Sequence, residues 1–210
     1  MPQSRTDSGM APIDDARVYY EMVGEGRPFV MIHAGIADSR QWNNEFAQFA
    51  DRYRVVRYDM RGYGRSEPVE GEFSHLQDLT ALLDYLQVDE PMVLMGCSIG
   101  GGLAMNYALE HPSRVKALIL VASGPPGLAL DVPEPPGLDE AEQAYLAGDL
   151  DRAAELETRY WFDGLGRTAA EVNQEMRRLA YDMNRNAFSH AAKRLGKRLP
   201  DSQVPAAELL

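Results

Sequence analysis

The sequence predicts an α/β fold, a mainly parallel sheet with helices on both faces, followed by a helical lid. Three observations carry this expectation. Short, almost continuously apolar runs recur at Phe29–His33, Met92–Met95 and Val115–Val121, the mark of strands buried on both faces. Amphipathic stretches of helical period lie between such runs, which implies right-handed crossovers joining parallel strands. After Gly124 no strand-like run recurs, and apolar residues fall at helical spacing only.

Taken in order, residues 1–15 read as a disordered lead-in, polar and without the apolar core of a signal peptide. The α/β core spans 16–124. Ala16–Val23 is a Val- and Tyr-rich strand ended by Gly24-Glu25-Gly26, and Phe29–His33 is the first buried strand. Gln41–Arg52 is a helix on the spacing of Trp42, Phe46 and Phe49. Tyr53–Tyr58 is the next strand and leads into the glycine-rich stretch Asp59–Ser66. Leu76, Leu79, Leu83 and Leu86 line one face of a helix within 73–87. Met92–Met95 is a strand, Leu103–Glu110 a helix stopped by Pro112, and Val115–Val121 another buried strand. Residues 125–205 form the helical lid, and 206–210 begin a further helix that is cut off.

Composition narrows the function. With 32 acidic against 21 basic residues and a net charge of -11, the chain lacks the basic face that nucleic acid or an anionic membrane requires. No apolar run is long enough to span a bilayer, and the single cysteine, Cys97, cannot form an internal disulfide. Cytoplasm is the expected compartment. The four histidines are scattered with no metal-site spacing, so neither metal nor cofactor is expected.

The chemistry-bearing motif is Gly96-Cys97-Ser98-Ile99-Gly100. It matches G-x-S-x-G between a buried strand and a helix, the context in which a sharp turn lifts the central serine clear of the sheet. Ser98 is therefore the expected nucleophile, near the positive N-terminus of the next helix. Cys97 is a small buried filler beside it. His33-Ala34-Gly35-Ile36 ends an earlier strand in a tight turn. Its backbone N–H groups would serve, with the N–H of Ile99, as oxyanion donors; the second donor is Gly35 or Ile36. His33 reads as an organiser of that turn, bonded to backbone, rather than as a base. Asp59 and Arg61 read as parts of a salt-bridged turn.

These landmarks, HAG after FVMIH, then YDMRGYGRS, GCSIGGG and HPSRVKALILVAS, together resemble the α/β-hydrolase superfamily in order and spacing. The likeness is strongest over 16–125, and within the superfamily it is closest to small-ester and lactone hydrolases. It implies hydrolysis of carboxylic ester or lactone bonds of small molecules through a serine acyl-enzyme. Other readings are a catalytically inactive ligand-binding homologue or fragment, a carbon–carbon bond hydrolase and a cofactor-free haloperoxidase. The resemblance also implies a triad in the order serine, acid, histidine. It places the acid and the histidine beyond Leu210, after two more strands, so activity of the 210 residues themselves stays open. His75, His111 and His190 sit in the wrong places for the base, and Ala122-Ser123-Gly124 carries no carboxylate. A sheet ending at Val115–Val121 would leave an exposed edge and an unburied apolar face, which a homodimer would cover. Trp161, Phe162, Tyr145 and Met183 read first as lid core, with an apolar substrate pocket as the other reading.

Overall fold

A hairpin opens the fold of this computed structural model, which describes residues 5–68, 70–128, 137–193 and 195–200. β1 (Asp7–Ile13) pairs antiparallel with β2 (Ala16–Val23) from Asp7↔Met22 to Ile13↔Ala16. The expected disordered lead-in is thus corrected for residues 7–13. Ala11 and Ile13 bury while Pro12 faces out, and Asp14 supplies the left-handed φ of 49° that a tight hairpin turn needs. Proline is tolerated because β1 is an edge strand.

The remaining strands are β3 (Pro28–Ile32), β4 (Arg54–Tyr58), β6 (Met92–Cys97) and β7 (Val115–Val121), in the order β1-β2-β4-β3-β6-β7. β4, β3, β6 and β7 run parallel; β2 joins β4 antiparallel. Alternation along each strand sends side chains to two separate cores. Val30, Ile32 and Tyr58 face α2 (His75–Tyr85) and α3 (Ile99–Glu110), where Leu79, Leu82, Leu83, Leu103 and Tyr107 are buried. Phe29, Met31, Val55 and Met95 face Trp42 and Phe46, the latter on α1 (Asn43–Phe49). Covered on both sides, β3 reads as a continuous apolar run, whereas β4 also buries Arg57, which pairs with Glu21. The fold class is the one the sequence predicts.

Several local expectations change. The helix expected over 41–52 is a 3₁₀ turn, Ser39–Trp42, capped by the Asp38 carboxylate, followed by the short α1. The helix after the nucleophile starts at Ile99, not Leu103; three successive glycines disguise its first turn because glycine is a poor helix former. β7 was expected to be buried, but it is the outer strand, and Leu118, Ile119, Leu120 and Val121 are 37–41% exposed. The exposed apolar edge expected at this strand is therefore present.

Beyond the sheet the chain runs through α4 (Leu138–Leu146), α5 (Leu150–Thr158), a π-turn (Arg159–Asp163) and α6 (Gln174–Lys193). The expectation of helices alone is corrected by β8 (Leu195–Arg198), which pairs in parallel with the short β5 (Glu70–Phe73). Neither four-residue strand carries an apolar pattern; pairing defines them. The expected helix at 206–210 lies outside the described residues.

Candidate active site

β6 ends at Cys97 and α3 begins at Ile99, so Ser98 alone makes the turn between them. Its φ of 51° and ψ of -117° lie outside the wells open to an L-residue, a strain of roughly 1–3 kcal/mol that surrounding bonds must hold. They do so from both sides. The Ser98 N–H donates to the Val121 carbonyl at 3.0 Å, and the Ser98 carbonyl accepts from Gly101 N at 3.0 Å, Gly102 N at 3.1 Å and Ser123 Oγ at 3.1 Å. The flanking glycines are required by contact. A Cβ on Gly96 would strike the Gly100 carbonyl, and one on Gly100 would strike the carbonyls of His33 and Ile32. Ser98 itself is exposed.

The turn after β3 packs directly on this elbow. The Ala37 N–H donates to the Ala34 carbonyl at 3.1 Å, which leaves Gly35 and Ile36 in the middle of the turn. A Cβ on Gly35 would lie 3.2 Å from Ile99 Cδ1, so the two predicted donor segments touch. Ile99 is the first residue of α3, where a helix offers its N–H no acceptor. Gln41, unremarked in the sequence, fixes the approach: its Oε1 accepts the Ala34 N–H at 2.8 Å. Nothing in the pattern marks this residue, because the bond joins a loop to a 3₁₀ turn.

His33 takes the role expected of it. Its Nε2 accepts the Met60 N–H at 2.9 Å, so Nδ1 carries the proton and donates to the Ala34 carbonyl at 2.7 Å. Complete burial holds its pKa below the ordinary histidine value, and the ring is neutral. The Asp59–Ser66 stretch is a braced turn. Asp59 accepts the N–H groups of Ser39 at 2.7 Å and Arg65 at 2.8 Å, while Arg61 pairs with Asp78 at 2.6 Å and Asp15 at 2.7 Å.

Two cavities border Ser98. One, of about 450 Å³, lies between the elbow, the turn at Gly35 and the helical segment; Trp161, Phe162, Leu179 and Met183 form its far wall. Three of the four predicted lid aromatics and methionines are therefore pocket walls. Tyr145 is not among them and instead stacks on Phe188 at 5.4 Å. The π-turn carries Trp161 and Phe162 to the cavity rim, and it is clasped to α6 by Arg177, which bonds the fully buried Asp163 at 2.9 Å and Glu155 at 2.6 Å. Cys97 also lines this cavity; burial pushes its thiol pKa up, which leaves it protonated and a poor nucleophile. The second cavity, of about 490 Å³, lies toward the loop after β7 and is lined by Asn106, Ser123 and Arg198.

Among the described residues, no histidine, aspartate or glutamate lines either cavity. His75 is buried at the start of α2, His111 packs on Tyr107 at the far end of α3, and His190 lies on α6. No group of described residues forms a metal site, and no described helix is long and apolar enough to cross a membrane.

Comparison with known proteins agrees with the fold. The sequence model of the alpha/beta hydrolase fold matches residues 27–207. The chain is 34% identical over 147 residues to a pimeloyl-[acyl-carrier protein] methyl ester esterase of Aeromonas hydrophila, covering 66% of this chain and 55% of that one. It is 33% identical over 123 residues to a 2-hydroxymuconate semialdehyde hydrolase of a Pseudomonas species, covering 55% and 42%. A bromoperoxidase structure from Bacillus anthracis superposes with a TM-score of 0.72 at 24% identity, covering 91% and 74%, a likeness of fold alone. The chain spans between 33% and 56% of the length of the curated relatives it matches.

Proposed function

The chain belongs to the α/β-hydrolase fold family, whose members are hydrolases, and from that premise we propose that it cleaves carboxylic ester or lactone bonds of small molecules through an acyl-enzyme on Ser98. The observation that carries the reading is the strained, exposed Ser98 standing between two cavities, with Ile99 and Gly35 in contact beside it.

Ser98 Oγ adds to the acyl carbon as its proton passes to a base. The carbonyl electron pair moves to oxygen, where the Ile99 N–H and an N–H of Gly35 or Ile36 stabilise the negative charge. The carbonyl re-forms, the ester C–O bond breaks, and the leaving oxygen takes the proton. In a lactone that oxygen stays tethered to the acyl group. Water then repeats the addition, the acid departs and Ser98 regains its hydrogen. No cofactor is needed. The four histidines line neither cavity, and no carboxylate among the described residues does, so these residues supply neither the general base nor its acid partner at Ser98. Without that base, turnover by residues 1–210 falls by several orders of magnitude and rests on oxyanion stabilisation and binding.

The names of the relatives, a methyl ester esterase and a semialdehyde hydrolase, support hydrolysis. A second reading, a ligand-binding homologue without turnover, is favoured by the lack of a carboxylate or histidine among the described residues at either cavity. Hydrolysis of p-nitrophenyl hexanoate separates the two. Slow release that vanishes in Ser98→Ala supports the hydrolase; identical rates for the two proteins support the binding module.

A further inference from the structure

The two cavities at Ser98 differ in chemistry. The one under the helical segment is walled by Trp161, Phe162, Met176, Leu179 and Met183. Among the described residues lining it, none carries an aspartate, glutamate, lysine, arginine or histidine side chain. Its polar side chains besides Ser98 are Gln41 and Cys97, and the Gln41 carbonyl oxygen is already bound to the Ala34 N–H. The cavity toward the β7 loop instead presents Asn106, Ser123 and Arg198. Asn106 is buried there, and its Oδ1 has no hydrogen-bond partner among the described residues.

We propose that the cavity under Trp161 and Phe162 selects a neutral, apolar acyl group, a linear alkanoyl or aryl chain, and rejects an acyl group that bears a second carboxylate. A volume of about 450 Å³ lies within the range of small-molecule sites, roughly 300–1,000 Å³. A neutral chain gains by leaving water for these walls. A carboxylate at the chain's end loses its hydration and meets, among the described residues, no cation in return but only the neutral Gln41 amide and Cys97 thiol, which is unfavourable. The polar cavity on the other side of Ser98 suits the leaving group, which keeps the two ends of the substrate apart. The inference rests on the hydrolase reading only in taking this cavity as the acyl side; the selectivity itself is a property of the walls.

The test is binding of a matched pair to the Ser98→Ala protein by titration calorimetry: hexanamide against adipamate, the same chain ending in a carboxylate. Hexanamide is expected to bind at least ten-fold more tightly. Equal or tighter binding of adipamate, or no binding of either, overturns the proposal. Leu179→Arg, folded by circular dichroism, places a cation in the wall and is expected to reverse the preference; an unchanged preference overturns the assignment to this cavity. If that variant does not fold, the matched pair still decides. Ester hydrolysis by the wild-type protein is measured separately. Selective binding without turnover therefore removes the hydrolase reading and leaves the inference standing.

Discussion

Ser98 keeps its forbidden backbone angles because Val121, Gly101, Gly102 and Ser123 all bond to its peptide groups, and because Gly96 and Gly100 let strand and helix close behind it. Gly100→Ala forces a methyl group into the His33 and Ile32 carbonyls, and it is expected to cost about 3 kcal/mol, read as a lowered urea midpoint at unchanged slope. His33 gives a pH dependence whose sign follows from burial. Its folded pKa lies below the ordinary value of 6.5, so at pH values under about 6.5 the unfolded chain binds a proton that the folded chain refuses. Stability is then full above pH 6.5 and falls as pH drops below it. Urea midpoints between pH 7.5 and 5.5 should decline, and His33→Asn should flatten that decline. At this scale the sequence was legible where a motif demands a residue type, as with Ser98, Gly96, Gly100 and Gly35. Gln41 was hidden, since a single side chain bonding a distant loop leaves no periodic trace.

Elements were legible in proportion to how much of their stability comes from their own side chains. β3 buries every residue and β6 four of its six, and both announce themselves as apolar runs. α2 shows its buried leucines at helical spacing. β1 and β8 draw their definition from backbone bonds to β2 and β5, and the sequence at 7–13 and 195–198 carries no strong pattern. In the helical segment the decisive element is the π-turn, held by Arg177 on the fully buried Asp163. Arg177→Met leaves that carboxylate buried and unpaired, a loss of about 3 kcal/mol. The expected signature is faster amide hydrogen exchange in Arg159–Asp163 and along α6, with the exchange of β3 and β6 unchanged. Equal acceleration throughout the sheet would mean that the clasp stabilises the whole fold rather than the wall of the cavity.

Over the whole molecule, alternating strand and helix signals were enough to predict the parallel sheet, because right-handed crossovers leave few other topologies. The place of β7 was not legible, since an apolar run does not say whether it lies in the middle of a sheet or at its edge. Its exposed Leu118, Ile119, Leu120 and Val121 present apolar side chains on both faces, beside a backbone edge that no described strand pairs. The net charge of -11 opposes self-association, and salt screens that repulsion. Light scattering is therefore expected to rise with protein concentration and with salt, and Ile119→Lys to suppress the rise without shifting the urea midpoint. The same molecule-wide arrangement brings the elbow, the turn after β3 and the helical wall to one site, where Ser98 is proposed to take the acyl group. Prolonged labelling with a fluorophosphonate, followed by peptide mass spectrometry, tests this most directly. One adduct is expected, on Ser98, absent from Ser98→Ala; a folded protein that stays unlabelled, or is labelled at another residue, rules Ser98 out as the acyl acceptor.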